Sequence, residues 1–216
     1  MCSHYQAIAN RERFARHFGA DLPEDAGALD VWPGYRAVFL RNTAPERAAA
    51  PAQRQALTGV FGLIPPWSTD LRMARRTYNA RSETAFEKPS FRDAWRRAQH
   101  CIVPAALLFE PDWRSGRAVA AGIGLAQEEP LGVAGLWSCW RSPEGAPVQE
   151  IYSFTMLTVN ADGSALMRQM HKPEDEKRMV VVLDPAHYAD WLDLPARHSL
   201  DFLHSHAQQA LVQHSP

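Results

Sequence analysis

The sequence predicts a single α+β domain: a curved, mostly antiparallel, barrel-like β-sheet core with flanking helices. Strand-like runs dominate the middle of the chain, while helical patterns sit at its ends and in one crossover. The regular strand–helix alternation of a doubly wound fold is missing. The length of 216 residues suffices for one substantial hydrophobic core.

Taken in order, Asn10 is placed to cap a first helix that Gly19 ends. Apolar and β-branched runs mark strands at 37–40, 59–64, 100–109, 119–123, 131–138, 151–159 and 179–183. Hairpin turns are expected at Ser115-Gly116 and Glu144-Gly145, and the Ala/Pro-rich stretch 48–52 reads as a surface loop. Further helices are expected over 90–99, where Ser90 and Asp93 resemble a capping arrangement, and over 161–168, 185–192 and 199–206.

Composition narrows the function classes. Charged residues make up 22% and hydrophobic ones 46%, ordinary for a soluble protein. No apolar run approaches the roughly 18–20 residues of a membrane span, and the N-terminus MCSHYQAIANRERF lacks the apolar centre of a signal peptide. A cytoplasmic protein without a membrane partner is expected. Three cysteines are too few and too scattered for a zinc site or disulfide framework, and Cys101 and Cys139 read as packing residues. None of the nine histidines forms a His-x-x-x-His pair backed by a carboxylate motif, and His198, His204 and His206 read as a solvated helix. Neither metal nor cofactor is expected. A net charge of −1 argues against a generally basic nucleic-acid coat. Residues 72–100 nevertheless carry Arg72, Arg75, Arg76, Arg81, Lys88, Arg92, Arg96 and Arg97 against Glu83, Glu87 and Asp93. That excess suits either a phosphate-binding face or a solvated helix surface.

Four segments could carry chemistry. Met1-Cys2 comes first, because the small side chain at position 2 permits removal of Met1, leaving an α-amine and a thiol on one residue. Both groups titrate near pH ~8 when unperturbed, and together they condense with an aldehyde to an imine and then a thiazolidine. On position alone, the favoured reading of Cys2 is simply the second residue of an ordinary terminus. Asn79-Ala80-Arg81-Ser82-Glu83-Thr84 follows Gly62-Leu63-Ile64-Pro65-Pro66-Trp67. It pairs an amide that donates and accepts with a guanidinium two residues on, a combination that orients a polar substrate beside a phosphate. Glu110 ends the apolar run that begins Ile102-Val103-Pro104, and is either a proton-transfer group or a solvent-exposed strand end. His171 precedes Arg178-Met179-Val180-Val181-Val182-Leu183, and is either surface decoration or a proton shuttle.

In this order the segments resemble the SRAP family, the SOS response-associated peptidases or abasic-site processing proteins. The resemblance runs from Cys2 to about Leu192. It rests on Met-Cys, Gly-Leu-Ile-Pro-x-Trp, Asn-Ala-Arg-x-Glu-Thr, the Ile-Val-Pro-Ala strand ending in Glu, and the histidine before Arg-Met-Val. It implies an SRAP-like domain over 1–195, followed by a C-terminal helix and tail over 196–216. It also implies a monomeric enzyme that covalently captures abasic sites in single-stranded DNA, and that releases Met1 by cleaving its own peptide bond. By matching position, Cys2 is the crosslinking residue and Asn79 holds substrate and amine. Glu110 is the acid/base near the amine, and His171 helps open the sugar and reverse the linkage. Arg81 and Arg76 would take phosphates, Trp67 would stack on or wedge beside a base, and Thr158 is assigned to the DNA-binding set.

The chain departs from the common pattern at several points. Ser3-His4 replaces Gly-Arg, and Asp30-Val31-Trp32-Pro33-Gly34 replaces Asn-x-Ala-Pro. Leu107 stands where glycine is frequent, and Pro111 where tryptophan is common. The stretch from Lys172 to Arg178 is longer than usual. Two other functions compete: a cysteine peptidase or amidohydrolase using Cys2, Glu110 and His171, and a non-catalytic single-strand DNA-binding module using Arg81 and Trp67.

Overall fold

The computed structural model describes residues 2–43, 53–143, 147–207 and 210–214. The expected loop at 48–52 and the turn at Glu144-Gly145 lie outside the described residues. Strand β1 (His4–Gln6) leads into helix α1 (Arg11–Phe18). Asn10 accepts a side-chain hydrogen bond from the Arg13 amide, and Gly19 at φ 65° donates its N–H to Ala15 O, as the sequence predicts. Phe14 and Phe18, four residues apart, form the buried face.

Then come β2 (Asp30–Val31), β3 (Arg36–Asn42), β4 (Arg54–Phe61), a 3-10 turn over Leu71–Arg76, and β5 (Asn79–Arg81), which runs directly into α2 (Ser82–Ala85). Helix α3 (Arg92–Arg96) precedes β6 (His100–Ala105), β7 (Leu107–Asp112), β8 (Val119–Leu125), β9 (Leu131–Arg141) and β10 (Glu150–Asn160). The chain continues with β11 (Arg178–Val180), β12 (Val182–Leu183), α4 (Tyr188–Asp193), α5 (Ser199–His206) and β13 (Leu211–His214).

Strands β10, β4, β3, β6 and β9 pair in that order, and β9 pairs back with β10, closing a barrel-like ring. β10 runs parallel to β4 and β5; the other pairings in the ring are antiparallel. Three phenylalanines with no exposed surface fill the core. The Phe154 ring lies 5.5 Å from that of Phe39 and 5.6 Å from that of Phe61. A second sheet in the order β13-β8-β7-β1-β2 shares this core through Tyr5, whose ring meets Phe61 edge-on at 5.3 Å. Among the described residues no helix is long and apolar enough to cross a membrane.

Several expected elements differ in detail. The run 100–109 splits at Ala106, whose N–H donates to Gln6 O at 2.7 Å, so β6 joins the barrel and β7 the second sheet. The run 179–183 splits at Val181, which donates to Leu157 O and accepts from the Ala134 amide. The expected helix at 161–168 is a turn followed by a 3-10 segment, Met167–Gln169. There Asn160 Oδ1 accepts from the Asp162 amide and Ser164 Oγ from Met167, so side chains take up the backbone groups a helix would pair. Helix α3 is shorter than expected, and no side chain caps it, Ser90 included. The C-terminal segment also contains an unexpected strand, β13, which pairs with β8 along residues Leu211 to His214.

Gly62 ends β4 at φ 118°, and its N–H donates to Phe154 O at 2.8 Å. A Cβ there would lie 1.8 Å from Ala74 O. Gly62→Ala should therefore lower stability by more than about 2 kcal/mol, read as a drop in the urea midpoint. An unchanged midpoint would show that the 62–77 segment relaxes freely.

Candidate active site

Strand pairing carries the N-terminus to the site. β1 pairs with β7 through His4↔Phe109, Tyr5↔Leu108 and Gln6↔Leu107, which sets Cys2 beside the far end of β7. Cys2 is fully buried, and its Sγ donates to His4 O at 3.2 Å. Burial, and after it the charge of Glu110, pushes the Cys2 thiol up to about 12. On β5, Asn79 Nδ2 donates to Cys2 O at 2.7 Å, fixing the backbone of the cysteine. Asn79 Oδ1 is buried and accepts nothing among the described residues.

Glu110 lies on the buried face of β7 with Leu108 and is 2% exposed. His171 Nε2 stands 3.1 Å from Glu110 Oε2. His171 adopts φ 63°, a left-handed conformation that histidine takes more readily than bulkier residues. It is held there because its N–H donates to Pro111 O at 2.7 Å, next to a bridge between Asp112 and Met170. Strand β7 thus supplies the carboxylate and also anchors the loop of its partner. The structure brings buried Cys2, Glu110 and His171 together with half-buried Asn79 in one cluster. Half-buried Tyr78 adjoins it: burial raises its hydroxyl pKa, and the charges of Cys2 and Glu110 raise it further.

The expected DNA-binding residues divide. Trp67 is 50% exposed, on a loop held from behind by Trp140 Nε1, which donates to Ser68 O at 2.7 Å. Asp70 Oδ1 accepts from the Arg72 amide and starts the 3-10 turn, leaving Arg72, Arg75 and Arg76 exposed. Arg81 is half exposed and ion-paired with Glu176 at 2.9 Å. Thr158 does not join these surface residues. It has no exposed surface, and its hydroxyl donates to Ala80 O at 3.4 Å and accepts from Arg178 Nε at 3.2 Å. Its observed contacts are internal and order the β5–β10 pairing.

Sequence reasoning missed Arg178, which is 1% exposed. Its guanidinium bonds Glu83 at 2.5 and 2.8 Å, Glu176 at 2.7 Å, and Thr158 O at 2.9 Å. A lone arginine opening an apolar strand was the available signal. Burial alone would raise the Glu83 pKa, but the hydrogen bonds and charge of Arg178 outweigh it and hold the carboxyl at about 2. Among the described residues no cluster of His, Cys, Asp or Glu is placed to hold a metal ion. A cavity of about 590 Å³ lies elsewhere, lined in part by Leu166, Met179, His204 and Leu211, and none of the four clustered residues borders it.

Because the Glu83 pKa is depressed in the folded protein, its stabilisation is complete above its ordinary value of 4.5 and is lost as pH falls toward about 2. Glu83→Gln should flatten that part of the stability–pH curve. Arg178→Met leaves Glu83 without its guanidinium while Glu176 keeps Arg81, and because both carboxylates are partly exposed the cost in urea unfolding at neutral pH should be about 1–2 kcal/mol. Wild-type acid sensitivity in Glu83→Gln would remove Glu83 as its source.

With this geometry established, comparison with known proteins places the chain. The family described as SOS response associated peptidase (SRAP) matches residues 1–215. The abasic site processing protein YoqW of Bacillus subtilis is 34% identical over 148 residues, which cover 67% of this chain and 60% of YoqW. The abasic site processing protein HMCES of Xenopus tropicalis is 28% identical over 168 residues, covering 67% of this chain and 48% of HMCES. The chain thus matches only about half to three fifths of the length of these relatives. A crystal structure of a protein from Bordetella bronchiseptica has a TM-score of 0.85 at 42% identity, covering 100% of both chains. Another, from Bacteroides thetaiotaomicron, has a TM-score of 0.73 at 21% identity over 94% of this chain and 86% of its own, a likeness of fold. Matched over nearly its whole length, this chain belongs to the SRAP family, the SOS response associated peptidases.

Proposed function

We propose that this protein captures abasic sites in single-stranded DNA through Cys2, once Met1 has been removed, forming a reversible thiazolidine. The observation that carries the reading is the convergence on Cys2: Asn79 bonded to its carbonyl, and buried Glu110, which stands beside His171 and whose charge reaches the thiol. The relatives named above as abasic site processing proteins support the same substrate.

The chemistry balances without a cofactor. Hydrolysis of the Met1–Cys2 peptide bond frees the α-amine. That amine adds to the aldehyde of a ring-opened abasic deoxyribose, and loss of water gives an imine. The thiol then adds to the imine carbon, its proton passing to nitrogen, and the five-membered ring closes. Glu110 and His171 are assigned the proton transfers, at the amine and at the sugar oxygen respectively. Holding the three reacting groups together replaces a dilute encounter by an intramolecular one. Arg81, Arg76 and Trp67 are assigned to the strand on either side. Peptide cleavage in trans has weaker support, since the Cys2 thiol is fully buried and its pKa is raised.

Purified protein beginning at Cys2 should form a heat-stable adduct with an abasic single strand. Cys2→Ala should abolish it, and Cys2→Ser should leave at most a labile imine. Equal adduct yield from Cys2→Ala would sink the assignment. His171→Ala and Glu110→Ala should each slow formation or reversal by roughly 10²–10⁴-fold, with different dependence on pH between about 5 and 9. Wild-type rates in both would leave only the capture role of Cys2.

Arg81 is already paired, so a phosphate must compete with Glu176 for it. Glu176→Gln should tighten binding of single-stranded DNA by about 2- to 5-fold, the scale of a partly exposed ion pair. Arg81→Ala should weaken binding and reduce the salt slope by about one unit or less. If neither variant changes affinity, Arg81 serves only the Glu176 contact.

A further inference from the structure

We infer that Trp32 is a stacking platform for one nucleobase flanking the captured abasic residue, a subsite that rests on the DNA-capture reading above. The observation is a three-ring stack that starts at β1, the strand just after Cys2. His4 lies two residues from Cys2, and its ring is sandwiched between Phe109, at 4.3 Å and 13°, and Trp32, at 4.1 Å and 9°. Cross-strand pairing of His4 with Phe109 sets the first layer. Asp30 Oδ1, 3.0 Å from His4 Nε2, fixes the ring in its plane. Trp32 is the outermost layer and keeps 44% of its surface exposed. Among the described residues His4 is the only ring stacked on it.

A rigid indole held flat, with one face covered and much of its surface open to solvent, suits a planar π-system. The surroundings favour one carried on a polyanion. The loop bearing Trp32 packs against the 3-10 turn Leu71–Arg76: a Cβ on Gly34 would touch Arg75 Cγ at 3.5 Å. The Arg75 guanidinium therefore lies alongside the aromatic loop, at a hollow of about 430 Å³ lined also by Arg76, Met73 and Arg72, the last paired with Asp70 at 3.0 Å, which leaves Arg75 and Arg76 as the cations in excess. Arginine beside an exposed aromatic is the pairing that holds single strands through phosphate and base face together. The Asp30–Gly34 stretch that departs from the family pattern thereby gains a function.

The test is equilibrium binding of the full chain to a labelled single strand whose central residue is a closed-ring abasic analogue, which cannot form the aldehyde. Flanking bases are removed one at a time. Wild type should lose affinity at one flanking position by roughly 5- to 150-fold, the range of base–aromatic stacking. Trp32→Ala should show a loss of that size on the intact strand and no longer respond to removal of that base. Trp32→Phe should restore most of the affinity and the base dependence. Equal affinity of wild type and Trp32→Ala, or the same base dependence in both, would overturn the platform. Because this probe cannot crosslink, the result is independent of capture chemistry. Failure of a true abasic strand to form an adduct would refute the proposed function and leave the stacking result standing.

Discussion

The arrangement around Cys2 depends on how a carboxylate is kept inside the protein. Glu110 retains 2% of its surface, and a charge removed from water is costly unless a partner compensates it. His171 Nε2 stands 3.1 Å from the Glu110 carboxylate, on a backbone turned into the left-handed region and tied to Pro111. The adjacent edge of β7 receives β1, so the strand that buries the carboxylate also delivers the cysteine. Loosening β7 would separate all three groups together. This is why the site lies at the junction of the two sheets.

A second set of charges surrounds the approach to this junction. Arg178 is enclosed by Glu83, Glu176 and Thr158, with β5 and β10 as the walls. Glu176 also reaches Arg81, so one carboxylate links a buried arginine to a half-exposed one. It comes from the longer segment after His171, a segment further secured by Lys177, whose Nζ donates to the carbonyls of His171 and Lys172. The extra length thus carries an anionic group to a cation otherwise available to phosphate. Under the proposed function, a phosphate arriving there would have to displace Glu176 from Arg81.

Much of this was legible in the residues. The long apolar strands and α1 announce themselves through periodicity and caps, and Cys2, Asn79, Glu110 and His171 were singled out by motif. What was not legible has common physical causes. Strands β1, β5 and β13 span three or four residues, and their partners define them more than their own sequences do. The 161–168 segment has helical composition, but Asn160 and Ser164 take its amides. Thr158 was assigned to the DNA-binding set by the family resemblance alone. β10 instead buries both faces from Ser153 to Val159. The partners of Arg178 come from segments about 20 and 95 residues away, a proximity that periodicity cannot report.

Burial also bears on the order of events in the proposed capture. A thiol pushed up to about 12 is protonated at neutral pH and is a poor nucleophile while the site is resting. In the proposed order, the α-amine exposed by loss of Met1 attacks the aldehyde first. Once the imine forms and takes a proton, a cation stands within two bonds of the Cys2 side chain, inside the same poorly solvated space. In the proposed capture that charge would offset both causes that raise the thiol, compensating the desolvation of a thiolate and opposing the field of Glu110. The thiol is thereby activated by the intermediate it must trap. A cysteine exposed to solvent would react with passing electrophiles. One buried against a carboxylate reacts after the aldehyde has already been bound.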